Sequence, residues 1–125
     1  SRYHKDSKVK RNFQRKIISQ VYHKLFQNLF LGVKSKDVHC GFKAIRSDTA
    51  KKVLPYIQDN GWYFDSELVY LFEKLGYSVK AIPIIWEDSD YPSGVDLKRI
   101  IPGFILKTLE MKLRPLPERA IKLRT

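Results

Sequence analysis

The chain has 125 residues, of which 43% are hydrophobic and 13% aromatic, and its formal net charge is +11. This composition predicts a single domain with a packed core, and it excludes wholesale disorder, a disulfide-stapled secreted fold and a membrane-spanning helix. The positive charge predicts an anionic partner, which could be nucleic acid, a phosphorylated substrate or an acidic membrane surface.

The chain begins with a basic segment, residues 1–16, which runs into a predicted amphipathic helix over residues 13–31. Gly32 suits the C-terminal end of this helix. We expect its wide apolar face to pack into the core. That face contains Phe13, Ile17, Ile18, Val21, Tyr22, Leu25, Phe26, Leu29 and Phe30. The opposite side contains Arg15, Lys16, Gln20, His23, Lys24, Gln27 and Asn28.

The stretch "DVHCGFKAIR", residues 37–46, is predicted to be a short strand or loop. Asp37, His39 and Cys40 are all potential zinc ligands, but the chain has one cysteine and no second cluster to complete a site. Cys-His catalysis is also disfavoured, because adjacent residues of a strand point to opposite faces. We therefore expect Cys40 to be a small buried residue, and Gly41 to mark close approach of the backbone to a neighbour or ligand.

Two helices are predicted next. Ser47 or Asp48 is the expected N-cap of a short helix that ends near Pro55. "WYFDSELVYLFEKLGY" predicts a longer helix with Asp65 or Ser66 as its cap. Asp65 can also be a functional carboxylate that faces a cleft, and the two roles are compatible. The expected buried stripe consists of Leu68, Val69, Leu71, Phe72 and Leu75, and Gly76 ends the helix.

"SVKAIPIIWE" predicts a strand, and residues 97–113 predict a last helix. Between them, "EDSD" at 87–90 has the spacing of a magnesium or manganese motif but is also typical of a surface loop. The last helix is basic and apolar, which suits either a membrane surface or the core. The element order indicates α/β layering, although two or three strands are few for a complete domain, so a fragment of a longer protein is expected.

The motifs together resemble a known family. "SRY", "RKIIS", "DVHCGFKAIR" and "WYFDSELVYLFEKLGYSVKAIPIIW" are similar in order and spacing to the second half of family 2 glycosyltransferases of the polyprenyl-phosphate type. The resemblance covers about residues 1–114 and leaves 115–125 as a basic tail. It implies an α/β nucleotide-diphospho-sugar transferase (GT-A) fold, of which this chain supplies the acceptor-side half. The nucleotide-binding half and its DxD metal motif are expected before Ser1.

The resemblance also implies roles for individual residues. It assigns Asp65 and Asp37 to catalysis, and Arg2, Arg15 and Ser19 to binding of the acceptor phosphate. The resemblance implies that His39, Gly41 and Lys43 line the active-site cleft. Many members of the family have Gln at the position of His39. Mg²⁺ or Mn²⁺ is the expected cofactor, bound mainly by the absent half and not by this chain.

The implied activity is inverting transfer of glucose or mannose from UDP-glucose or GDP-mannose to a polyprenyl or dolichyl phosphate. The implied location is the cytoplasmic face of a membrane, as a peripheral protein. Two alternatives are a nucleic-acid-binding module and a membrane adaptor without catalysis. Nucleic acid is the less expected partner, because the aromatic residues fall on apolar helix faces and not among the cations.

Overall fold

The computed structural model of the protein describes residues 1–10, 13–87 and 97–116, apart from the side chains of Arg15, Leu97 and Lys98. Its two short strands pair in parallel, with Lys8 opposite Ile85 and Lys10 opposite Glu87. The strands are β1 (Lys8–Lys10) and β2 (Ile85–Glu87), and the helices are α1 (Phe13–Tyr22), α2 (Ser47–Val53), α3 (Phe64–Lys74) and α4 (Leu97–Leu113).

Helix α1 continues without a break into a π-helical segment, His23–Phe30, and Gly32 follows with a φ of 70°. The predicted helix is thus confirmed in extent, but the prediction that its apolar face is core is wrong. Helix positions such as Gln27 from the predicted polar side are buried instead. The apolar side chains left exposed are Phe13, Ile17, Ile18, Val21, Leu25, Leu29 and Phe30.

Hydrogen-bonding partners accompany the buried polar side of this first helix. Gln27 donates hydrogen bonds to the Tyr22 hydroxyl (2.9 Å) and to Ser66 of α3 (3.3 Å). The Tyr22 hydroxyl also lies 3.3 Å from the hydroxyl of Thr108 on α4. Ser66 of α3 and Thr108 of α4 supply two of these partners, and hydrogen bonding offsets the cost of burying polar groups. The wider π-helical turn also shifts each following residue relative to an α-helical register.

Helix α3 is the centre of the core. All five residues of its predicted stripe are buried, and Gly76 ends the helix with a φ of 82°. Around it pack Leu31, Val33, Val38, Val53, Tyr63 and Met111. The predicted strand over residues 78–87 is shorter than expected, because only its last three residues pair with β1. Pro83 has no N–H group to donate to a ladder, which limits the strand on that side.

The capping predictions for two helices are wrong. Arg46 occupies the N-cap of α2 and Tyr63 that of α3, both without a side-chain capping bond. Asp65 and Ser66 therefore lie inside the first turn of α3, where their side chains are available for other contacts. It stays a prediction that residues 1–114 form half of a GT-A domain and that residues 115–125 form a basic tail. Residues 117–125 lie outside the described part of the structure.

Candidate active site

Arg2 and Asp37 form a buried ion pair that joins the N-terminal segment to the loop before α2. The Arg2 Nε and Nη2 atoms donate to the two Asp37 oxygens at 3.0 and 2.7 Å, and the Arg2 backbone N–H adds a third bond at 2.7 Å. Burial alone would lower the pKa of Arg2 and raise that of Asp37, but the hydrogen bonds and charges of the pair outweigh it and shift both pKa values the other way. Both groups are therefore charged at neutral pH.

The Arg2 guanidinium also lies over the Trp86 ring of β2, at 5.6 Å from the ring centroid. This stacking and the two-pronged bond to Asp37 hold the guanidinium plane in one orientation. The group still has further N–H donors, so it can bind a phosphate while it remains paired with Asp37.

Lys43 and Asp65 form a second ion pair, which joins the 37–46 segment to the first turn of α3. The Lys43 Nζ atom lies 3.0 Å from the Asp65 Oδ1 atom and also donates to the Cys40 carbonyl. Both side chains are only partly buried, with 19% and 32% exposed, so a ligand can reach them. The Asp65 carboxylate is thus held by the Lys43 ammonium group. It does not cap α3, so its position is not explained by helix capping.

His39 belongs to a partly buried polar network at the start of α3. Its Nε2 atom is 2.7 Å from the Ser66 hydroxyl, and its ring stacks on Phe104 of α4. Burial and the nearby charge of His23 lower the pKa of His39 to about 3, so the imidazole is neutral at physiological pH. His39 can therefore accept or donate a hydrogen bond there, but it does not supply a positive charge.

A groove of about 590 Å³ runs beside the two ion pairs. Asp37, Cys40 and Lys43 contribute its polar wall, and Leu68, Val69 and Phe72 are among its apolar lining residues. Cys40 is buried, as predicted. Gly41 is exposed, and a Cβ there would meet no described atom within 4 Å, so the predicted close backbone neighbour is wrong. His39 and Gly41 are not among the residues that line this groove.

The three residues predicted to bind the acceptor phosphate are only partly brought together. The Ser19 hydroxyl contacts the Tyr3 hydroxyl, which places Ser19 next to the segment that carries Arg2. The side chain of Arg15 lies outside the described part of the structure. The sequence did not predict a functional contact for Tyr3, Gln27 or Trp86. For Gln27, the helical period showed only that it lies on the side opposite the apolar face.

The described residues do not form a metal site. Within residues 1–10, 13–87 and 97–116, no three His, Cys, Asp or Glu side chains are grouped to hold an ion. The acidic stretch at 88–90 lies outside these ranges. Among the described helices, none has both the length and the apolar character that crossing a bilayer requires.

The chain is similar in sequence to several glycosyltransferases. It is 34% identical over 86 residues to the dolichyl-phosphate beta-glucosyltransferase of Dictyostelium discoideum and 32% identical over 83 residues to that of Saccharomyces cerevisiae. It is also 33% identical over 122 residues to glycosyltransferase AglD of Haloferax volcanii. These matches cover 68%, 66% and 92% of the chain, respectively.

The matched segments represent 26%, 24% and 19% of the Dictyostelium, yeast and Haloferax relatives, so the chain spans about a quarter or less of their length. No family model matches the chain. No solved structure matches it either. The similarity supports a relationship to the dolichyl-phosphate glycosyltransferases.

Proposed function

We propose that this chain works in a glycosyltransferase that moves a glucosyl group from a sugar nucleotide, UDP-glucose, to dolichyl or polyprenyl phosphate. The names of the similar proteins support glucose as the sugar and dolichyl phosphate as the acceptor. GDP-mannose is the alternative donor.

One observation carries the proposal: four charged residues from distant motifs form two pairs at one groove. Arg2 binds Asp37, and Lys43 binds Asp65. Asp37 and Lys43 line the groove, and Arg2 and Asp65 are fixed to its wall through them. A transfer between two phosphorylated substrates needs positioned cations and carboxylates of this kind.

The proposed chemistry is a single displacement. An oxygen of the acceptor phosphate attacks the anomeric carbon of the sugar, and the bond from that carbon to the nucleoside diphosphate breaks. The bonding electron pair leaves with the diphosphate, and the configuration at the anomeric carbon is inverted. The phosphate oxygen is already anionic near neutral pH, so the reaction does not require a general base.

The residues of the site have matching roles in this scheme. Arg2 offers its remaining N–H donors to the acceptor phosphate, close to Ser19 on α1. Asp65, held by Lys43, positions groups at the groove and does not abstract a proton. Asp37 fixes the Arg2 guanidinium, and neutral His39 fixes the first turn of α3 through Ser66.

Mg²⁺ or Mn²⁺ would offset charge on the leaving diphosphate. The described residues do not fit such an ion, so the proposal assigns them no step that passes through a metal. The metal ligands are expected outside the described part.

A membrane surface is the proposed location, because two neighbouring helices leave apolar stripes exposed. Lys112 of α4 lies over the Phe30 ring of the π-helical segment, at 5.7 Å, so the two helices are in contact. Amphipathic helices with lysines beside their apolar side chains bind anionic membrane surfaces. We call the following residues the apolar stripes: Phe13, Ile17, Val21, Leu25 and Leu29 on the first helix, and Leu106, Leu109 and Leu113 on α4.

The test of the proposed role is an Asp65→Asn variant of the complete gene product. We expect its rate of sugar transfer to fall by about 100-fold or more, because the carboxylate that Lys43 holds is lost from the groove. Asp48→Asn is the matched control, since Asp48 is also an acid in the first helical turn, but of α2 and exposed. Equal rates of sugar transfer by wild type and Asp65→Asn would contradict the role of Asp65. Absence of transfer by the wild type, with membrane binding intact, would favour the adaptor without catalysis.

A further inference from the structure

The first turn of α3 carries three consecutive polar residues, and each has its own partners. Asp65 pairs with Lys43 at 3.0 Å, and the Ser66 hydroxyl lies 2.7 Å from the His39 Nε2 atom. Glu67 instead holds the turn before α3 and the residue that follows α4. This one helical turn therefore joins three separate parts of the chain.

Glu67 is a buried carboxylate, with only 4% of its side chain exposed. It accepts hydrogen bonds from the Gln58 N–H, at 3.1 Å to each oxygen, and from the Asp59 N–H at 2.9 Å. The guanidinium of Arg114, just after α4, also donates to its Oε1 atom. Hydrogen bonds to a charged group are short and strong, so together they fix the position of this carboxylate.

The start of α3 depends on such side-chain bonds, because its N-cap supplies none. Tyr63 occupies the N-cap without a side-chain capping bond. Residues two apart in a helix do not face each other, so Asp65 and Glu67 hold the first turn from different sides. Lys43 is the partner on one side, and the 58–59 turn with Arg114 is the partner on the other.

Glu67 does not serve the groove directly. It is not one of the described residues that line the groove, and its burial keeps a bound ligand from its carboxylate. Asp65, two residues earlier, is 32% exposed beside the groove. Glu67 can therefore act on a reaction in the groove only through the position of the first turn.

We propose that Glu67, held by Arg114, is a positioning residue for the Asp65 carboxylate. It fixes the first turn of α3 so that Asp65 stays within reach of Lys43 beside the groove. A misplacement of about 1 Å in such a group costs up to about 100-fold in rate. The inference rests on the proposed function, because that function gives Asp65 its role in transfer.

The test is the kinetics of a Glu67→Gln variant of the complete gene product, which keeps the shape of the side chain and removes its charge. We expect kcat for glucosyl transfer from UDP-glucose to dolichyl phosphate to fall by about tenfold, with KM for both substrates within about twofold of wild type. Arg114→Met should have the same effect. Arg114→Lys should keep the wild-type kcat, because an ammonium group can replace the single contact with Glu67.

Two controls separate positioning from loss of stability. Lys107→Met breaks the ion pair that also joins α4 to Asp59, but leaves the partners of Glu67 in place, so kcat should be unchanged. Val53→Ala lowers Tm through a cavity in the core, and its kcat should also be unchanged while it is folded. An unchanged kcat in Glu67→Gln would overturn the proposal, as would an equal loss of kcat in either control.

Labelling of Lys43 by an amine reagent, quantified by mass spectrometry, measures the position of Asp65 without activity. Lys43 is only 19% exposed while it is paired with Asp65. Its labelling rate in Glu67→Gln should rise to that in Asp65→Asn, and should stay at the wild-type rate in Lys107→Met.

This labelling also separates the two possible failures. If wild type transfers no sugar, the proposed function fails, and the labelling rate alone decides whether Glu67 positions Asp65. Faster labelling of Lys43 in Glu67→Gln then supports the positioning, and labelling at the wild-type rate would overturn it.

Discussion

At the residue scale, the site depends on charged groups that form pairs, and the Arg2–Asp37 pair is buried. Arg2 and Asp37 are 10% and 0% exposed in their side chains, so neither could remain charged there without the other. The sequence predicted both residues as functional through the resemblance, but not their contact, because 35 positions separate them and only the tertiary fold brings them together.

Removal of one partner tests this pair. We expect Asp37→Asn to lower the free energy of unfolding by about 3 kcal/mol, because the Arg2 guanidinium is left buried without its counter-charge. Urea denaturation gives the value. Asp48→Asn, which breaks the exposed Arg46–Asp48 pair, should change stability far less. Equal effects of the two variants would contradict the buried pair.

His39 predicts a pH dependence. Its pKa is about 3 in the folded chain, against about 6.5 when unfolded, so between these values the unfolded state binds the extra proton. The contribution of His39 is therefore present above pH ~6.5 and is lost as the pH falls toward ~3. Urea midpoints measured across this range should fall less steeply for His39→Gln than for wild type. An unchanged slope in His39→Gln would refute the lowered pKa of His39.

At the element scale, periodicity predicted where the first helix lies but not which side of it faces inward. An amphipathic pattern states only that the two faces differ, and the choice of face depends on the partners that other elements provide. Here Ser66 accepts a hydrogen bond from Gln27 of the polar side, and most of the apolar side remains exposed, although Tyr22 of that side is buried next to Thr108. In α3, by contrast, the predicted apolar stripe is buried, together with the polar side chains of Ser66 and Glu67.

The exposed stripes predict vesicle binding through both helices. Leu29→Asp and Leu113→Asp should each weaken partitioning to phosphatidylcholine vesicles by about tenfold, since each removes a largely exposed leucine, 80% and 82% accessible. Thermal unfolding should be unchanged, because neither side chain is in the core. Trp62→Asp serves as the control, as Trp62 is 67% exposed but lies outside the stripes. An equal loss for Trp62→Asp would show that binding does not involve the stripes specifically.

At the scale of the whole molecule, the resemblance was the most informative part of the sequence. It implied roles for Asp37, Lys43 and Asp65. In the structure Lys43 and Asp65 form an ion pair, Asp37 and Lys43 line the groove, and Asp65 lies beside it through Lys43. Cys40 is buried, as expected of a small residue in the core. The GT-A architecture stays a prediction, since two paired strands do not define a sheet order.

The measurement that tests the central claim most directly is analysis of the lipid product by mass spectrometry. The complete gene product would be incubated with dolichyl phosphate and either UDP-glucose or GDP-mannose, with Mg²⁺ present. We predict dolichyl phosphate glucose from UDP-glucose, and a loss of this product in Asp65→Asn but not in Asp48→Asn. Formation of no glycolipid from either donor by the folded, membrane-bound protein would contradict the proposed glycosyl transfer.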